Sequence, residues 1–200
     1  PLSAAIPGEP AALVYLNGKY GRLPLAEDLA SAIRLARDGF PLDPLFQKMI
    51  ATHVDKLKRW PAAAAAFLDN GRAPPVGYIL KQPDLARTLE RIARQGDAGF
   101  YQGGIARQMV DAVRAAGGIW SLADLRDYRV KERQPLVGEY HGMQIISAPP
   151  PSSGGIVLLE ALNILSGYDL GHDSDLMRKH LIIEAMRYAY RDREIGRAHV

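Results

Sequence analysis

The chain contains no cysteine, which excludes disulfides, thiolate-held metals and a cysteine nucleophile within these residues. It lacks any stretch approaching the ~18 continuous apolar residues that a membrane-spanning helix needs. Neither sign of charge dominates: 25 basic against 22 acidic residues leave a formal +3, and the bases are scattered, so no nucleic-acid footprint is expected. No glycine-rich phosphate loop and no Gly-x-Ser-x-Gly elbow occur. There is no initiator methionine. The opening Pro1-Leu-Ser-Ala-Ala-Ile-Pro-Gly8 has neither the basic start nor the apolar core of a signal peptide, so the natural beginning is expected to lie upstream.

What is present fits one ordinary soluble globular domain: 200 residues, 48% hydrophobic and 24% charged. The first two thirds read as helices. Ala11 to Leu16 is a short apolar run read as helical. Leu25 to Arg37 places Leu25, Leu29, Ile33 and Ala36 on one face, with Asp28 near its start and Gly39 as its stop. Further helices are predicted over Pro44 to Arg59, from Pro61 to Leu68, over Pro83 to Arg94 and over Gly99 to Ala116. Ser121 with Asp124 three residues on has the spacing of a capping box. From Arg129 the period becomes that of strands, with Leu136 to Tyr140 and Met143 to Ser147 reversing at His141-Gly142. A last helix is predicted over Asp173 to Arg193.

The organising stretch runs from Met143 to Leu165. Pro149, Pro150 and Pro151 fix φ and deny a ladder its N–H donors, so the strand must stop. Ser152 or Ser153 can cap the next helix, and Gly154 and Gly155 leave its first N–H groups uncovered by side chains. That helix is apolar nearly all round and is expected to be buried. Its start could hold an anion such as a carboxylate, or the serine could simply cap while the glycines allow close packing.

Other constellations are weaker. Ser147, Ser152 and Ser153 lie near His141, His172 and His180 in sequence, but a triproline suits a rigid support better than an exposed nucleophile elbow. His180 and Glu184 share a helix face, yet the second histidine of a metal pair is missing. Tyr188 and Tyr190 with Arg187, Arg191 and Arg193 are read as tyrosines packed inward and arginines reaching outward, rather than a base-stacking surface. No catalytic, cofactor-binding or metal-ligating residue is assigned, and no cofactor is expected.

Ala148-Pro-Pro-Pro-Ser-Ser-Gly-Gly-Ile156, read with Gly138 to Gln144 and with Glu184-Ala-Met-Arg-Tyr-Ala-Tyr-Arg-Asp-Arg193, closely resembles the large subunit of γ-glutamyltransferases (glutathione hydrolases), which are N-terminal-nucleophile hydrolases. Ala36 to Phe40, Phe100 to Ile105, and Gly117-Gly118 followed by Asp124, Leu125 and Tyr128 carry the likeness along most of the chain. The resemblance implies an α/β fold, a four-layer α/β/β/α sandwich to which these residues contribute mainly helices and a few strands around 130–147. It also implies a precursor that cuts itself into a large and a small subunit, whose new N-terminal threonine transfers the γ-glutamyl group of glutathione and related amides to water, an amino acid or a peptide. Relatives on the same frame act on other acyl amides, including β-lactam side chains.

The partners so implied are small γ-glutamyl substrates and the chain's own small subunit, with a periplasmic or extracellular location. The family's threonine motif and its carboxylate-clamping arginine are expected outside this chain, whose only threonines are Thr52 and Thr88. Residues 149–155 then belong to the structural frame near the site. The alternative function is a non-catalytic helical domain holding an anionic ligand at Ser152 to Gly155. Residues 1–193 are expected to be a partial large-subunit region. Glu194-Ile-Gly-Arg-Ala-His-Val200 reads like in-frame translation of a sequencing-library adapter, and is expected to be a non-native tail. With half of a two-sheet core missing, the isolated chain is expected to fold poorly and to be inactive.

Overall fold

The computed structural model describes Leu2 and residues 4–197, with side chains as far as Glu194. The chain divides into two compact units, Pro1–Val130 and Lys131–Val200.

The first unit is helical. It contains α1 (Glu9–Tyr20), α2 (Leu25–Asp38), α3 (Pro44–Thr52), α4 (Val54–Lys58), α5 (Pro61–Phe67), α6 (Pro83–Gln95), α7 (Ala98–Tyr101), α8 (Gly103–Ala115) and α9 (Leu122–Arg126). Two short strands, β1 (Phe40–Pro41) and β2 (Ile79–Leu80), pair antiparallel with Phe40 opposite Leu80. The period-four face of α2 buries Leu29 and Ala36, α6 buries Ala86 and Ile92, and Arg37 on α2 forms an ion pair with Glu90 on α6. Leu42, Ile50 and Leu80 form one small core. Ala11, Tyr101, Ala106, Val110, Trp120 and Leu125 form another.

Two helices predicted as continuous are broken, each for a local reason. The Pro44 to Arg59 helix stops at His53 (φ −115°, ψ 12°), whose ring Nδ1 lies 2.8 Å from the Met49 carbonyl oxygen, while the Thr52 hydroxyl donates to the Lys48 carbonyl at 2.8 Å. Side chains that bond the preceding turn compete with the helix ladder and mark its weak points. The Gly99 to Ala116 helix is interrupted at Gln102, which is extended, and Gly103 takes φ +70°, a conformation that costs glycine little. Asp43 caps α3 by accepting from the Phe46 N–H at 2.7 Å. Ser121 and Asp124 form the anticipated capping box on α9, and the hydrogen bonds from Ser121 hold the Asp124 carboxyl below the usual aspartate range.

The approach to α1 is pinned from far along the chain. The Tyr101 hydroxyl donates to the Pro7 carbonyl at 2.6 Å and accepts from the Ala11 N–H at 3.2 Å. Trp120 Nε1 donates to the Ala4 carbonyl at 2.9 Å. The Tyr101 ring stacks on Tyr128 and meets Phe100 edge-on. Burial pushes the Tyr101 pKa up, against the opposing effect of the Ala11 hydrogen bond, so the phenol stays protonated and remains a donor.

The second unit holds the hairpin β3 (Leu136–Tyr140) and β4 (Met143–Ser147), then α10 (Gly154–Leu165) and α11 (Asp175–Arg197). Leu136 pairs with Ser147 and Tyr140 with Met143, across a reversal in which His141 and Gly142 have φ +49° and +76°. Ala161 and Leu165 of α10 pack against Ala185 and Ala189 of α11, with Tyr140, Val157, Leu181 and Ile182 around them. Alanines at the crossing let the two helices approach closely, and full burial of a leucine such as Leu165 contributes roughly 1.5–3 kcal/mol. The strand period expected from Arg129 starts later: Val130 lies in irregular backbone, and β3 begins at Leu136.

Candidate functional site

The segment singled out by the sequence is the corner between β4 and α10. Extended pairing stops at Ser147, as the prolines require. The Ser152 N–H closes a turn onto the Pro149 carbonyl at 3.2 Å, and the Val157 N–H makes the first helical bond to the Ser153 carbonyl at 3.1 Å. The corner is compact because Gly155 is buried. A Cβ there would lie 2.5 Å from the Ala148 carbonyl oxygen, 2.9 Å from Ser147 Oγ and 3.1 Å from Leu136 Cδ1. Glycine at 155 is therefore what allows α10 to leave the hairpin at this angle.

The serines do not cap as expected. Ser153 occupies the N-cap position in helical backbone (φ −86°, ψ −11°) and makes no side-chain capping bond. An N-cap side chain reaches forward to the helix N–H groups from an extended backbone, and a residue already turned into the helix is poorly aimed for that. The N–H groups of Gly154, Gly155 and Ile156 consequently have no hydrogen-bond partner among the described residues. They carry the positive end of the α10 dipole. Ser152 and Gly154 are exposed, Ser153 is half-buried and Gly155 is buried, so the corner presents its first turn to solvent.

The expectation that α10 is buried holds on one side only. Ala161 and Leu165 are covered, but Ile156 and Leu158 remain 42% and 45% exposed. Between the helix and the hairpin runs an open trough of about 530 Å3, lined by Leu136, Ile156, Leu159, Glu160, Asn163 and Ile164. Val137 and Ile146, paired across the hairpin, are also more than half exposed. Burial of α10 is thus met at Ala161 and Leu165 and not at Ile156 and Leu158, whose face stays open among the described residues.

The remaining candidates do not assemble into catalytic groups. No serine–histidine hydrogen bond is made among the described residues. Ser147 Oγ faces Gly155, the His141 ring lies edge-on to Tyr140, and His172 Nδ1 sits 2.6 Å from Asp169. Glu184 pairs with Arg187 at 3.0 Å and His180 is exposed. No cluster of three or more His, Asp or Glu side chains suited to a metal exists among the described residues. The tyrosines of α11 are not packed inward: Tyr188 and Tyr190 are nearly half exposed, with Arg191 and Arg193 lying over their rings. The inward positions on that helix belong to Ala185 and Ala189, which the sequence reading passed over because alanine gives a faint periodic signal.

One titratable contact was also missed. Partial burial, together with the neighbouring Asp192 carboxyl of α11, raises the pKa of Glu160 on α10. The helical spacing that brings the two together is legible only once the α10–α11 crossing is known.

Both threonine hydroxyls are spent on backbone: Thr52, the last residue of α3, donates through Oγ1 to the Lys48 carbonyl at 2.8 Å, and Thr88, within α6, to the Asp84 carbonyl at 3.0 Å.

This mainly helical arrangement with two small two-stranded sheets superposes on solved gamma-glutamyltranspeptidase and cephalosporin acylase structures. The chain matches the model of the gamma-glutamyltranspeptidase family over residues 1–197. It belongs to that family. A crystal structure of Helicobacter pylori gamma-glutamyltranspeptidase superposes with a TM-score of 0.92 at 34% identity, over 97% of this chain and 56% of that one. The glutathione hydrolase proenzyme of Pseudomonas sp. (strain A14) is 40% identical across 96% of this chain and 34% of its own length. The acylase ACY 1 proenzyme of Pseudomonas sp. (strain SE83) is 38% identical across 98% of this chain and 36% of its own. The chain thus spans about a third of the length of these curated relatives. No helix among the described residues is long and apolar enough to cross a membrane.

Proposed function

We propose that the chain is the large-subunit part of an enzyme that moves the γ-glutamyl group of glutathione and related amides to water, an amino acid or a peptide. Membership of the family supports this reading, and the state of the two threonines shapes it. A threonine nucleophile of this kind needs a free α-amine as its base and an unencumbered hydroxyl. Thr52 and Thr88 have neither, because each is mid-chain and bonded to the carbonyl four residues back. The reactive threonine is therefore supplied by residues outside these 200, at the N-terminus that self-cleavage of a precursor would expose.

In that scheme the threonine oxygen attacks the γ-glutamyl carbonyl while the α-amine takes its proton. The amide nitrogen leaves with that proton, and water or an amino acid resolves the ester. The residues described here act as frame. The corner at Pro149 to Gly155 fixes α10 against the hairpin, and the apolar trough and the outer face of α10 await the rest of the precursor. The resulting partner is the chain's own small subunit, and the location is periplasmic or extracellular.

An acylase acting on other amides is the second reading, favoured by the 38% identity to an acylase proenzyme over nearly the whole chain. The two separate by substrate. The intact protein is expected to release the anilide from a γ-glutamyl anilide, and the 200-residue chain alone to release none. Cleavage of a β-lactam side-chain amide with the γ-glutamyl anilide untouched would replace the first reading by the second, and turnover by the chain alone would overturn both.

A further inference from the structure

Two Asn-Gly dipeptides occur in the chain, Asn17-Gly18 and Asn70-Gly71, and the fold treats them oppositely. Asparagine before glycine is the thermolabile pair in which the next backbone nitrogen can close onto the side-chain amide, since glycine adds no steric screen. Closure requires that nitrogen to be free and the carboxamide to be mobile.

Asn17 meets neither requirement. It lies within α1, where the Gly18 N–H belongs to the helix ladder. Its Nδ2 donates to the Leu23 carbonyl at 3.0 Å and to Asp28 Oδ2 at 2.7 Å, and its own carbonyl accepts from the Gly21 N–H at 2.8 Å. Cyclisation there requires the end of α1 to open and three anchoring bonds to break.

Asn70 meets both. Asp69 and Arg72 exchange backbone hydrogen bonds of 2.9 Å each, leaving Asn70 and Gly71 as the tip of a two-residue turn with φ of +48° and +75°. Asn70 is exposed, and among the described residues its carboxamide makes one hydrogen bond, to the adjacent Asp69 carboxylate at 3.0 Å. The Gly71 N–H has no hydrogen-bond partner among the described residues. Gly71 is half-buried, and the nearest atom that an added Cβ would meet is Lys58 Cε at 3.7 Å, so the turn tip is uncrowded and the lysine stem passes beside it.

We propose that Asn70 is a site of spontaneous deamidation and isoaspartate formation, and that α1 protects Asn17 from the same reaction. The Gly71 nitrogen gives its proton to water and bonds to Asn70 Cγ. The Cγ–Nδ2 bond breaks and ammonia departs, leaving a cyclic imide. One water then adds to either imide carbonyl, giving aspartate or, by opening on the other side, isoaspartate. No oxidant or reductant takes part. The product adds a negative charge beside Asp69, and isoaspartate also lengthens the backbone at the turn. Phe67, Leu68 and Ala73 flank that turn and pack against Leu42, Ile50 and Leu80, so the change is transmitted to that small core.

The test is a time course of the intact protein in mildly alkaline buffer, digested and mapped by mass spectrometry, with isoaspartate separated chromatographically and a cooperative melt confirming that the sample is folded. Asn70 is expected to convert at least about tenfold faster than Asn17, because Asn17 reacts only after local opening. In urea the two rates should come within about twofold of each other, since only the fold distinguishes them. A Gly71→Ala variant should slow conversion at Asn70 by about tenfold and leave Asn17 unchanged. Equal rates in the folded protein, or conversion at Asn17 with Asn70 intact, would overturn the proposal.

Discussion

Replacing Tyr101 by phenylalanine isolates the pin that holds the approach to α1. The substitution keeps the ring, and with it the stack on Tyr128 and the edge contact with Phe100, whose centroids lie 5.6 and 5.0 Å away. It deletes only the oxygen that bridges Pro7 and Ala11. Each bond is worth about 1 kcal/mol net, and more where its partner is left buried and unpaired, so Tyr101→Phe should cost about 1–3 kcal/mol. Ala11 is 4% exposed, which places its N–H in the more costly class. The assay is urea unfolding of the intact protein: the midpoint should fall with the slope unchanged, because the surface exposed on unfolding is the same. Trp120→Phe, which loses the bond to Ala4, should move the midpoint in the same direction. A Tyr101→Phe stability within about 0.5 kcal/mol of wild type would refute the reasoning, since that is the range of substitutions that touch nothing of consequence.

Two further predictions concern the second unit. Gly155→Ala puts a methyl group against the Ala148 carbonyl and Ser147 Oγ, and should cost about 1–3 kcal/mol by forcing α10 away from the hairpin, whereas Gly154→Ala, with only Ser152 Oγ nearby at 3.8 Å, should change the urea midpoint little. The raised Glu160 pKa means that the folded state holds a proton the unfolded chain releases, so stability from this group is fully present below the ordinary glutamate range and is lost as pH rises through the raised value; Glu160→Gln should flatten that part of a plot of urea midpoint against pH.

How much was legible varies with the kind of signal. The helix of Leu25 to Arg37 was readable because a four-residue apolar repeat, acidic residues at its start and a stop at Gly39 agree, and α2 ends at Asp38. The His141-Gly142 reversal and the Ser121 capping box were readable because turn and cap chemistry is local. The breaks at His53 and Gln102 were not, since each depends on a side-chain or glycine geometry that the apolar period does not register. The proline corner falls between β4 and α10 as expected, yet the capping was misread because Ser153 takes a helical backbone angle, which its residue type does not announce. The pinning by Tyr101 and Trp120 and the Glu160–Asp192 contact join residues far apart in sequence, and no local pattern announces them. Family membership was legible for a different reason: the Ala148 to Ile156 motif and the α11 arginine and tyrosine run are specific strings.

The central claim is that this chain frames a site whose nucleophile lies on another segment of the same precursor. It is tested most directly by expressing the uninterrupted reading frame and determining the N-terminus of any smaller polypeptide released on maturation. The account predicts self-cleavage into two polypeptides, the smaller beginning with threonine. A precursor that stays in one piece while cleaving γ-glutamyl amides, or a smaller product led by any residue other than threonine, would contradict it.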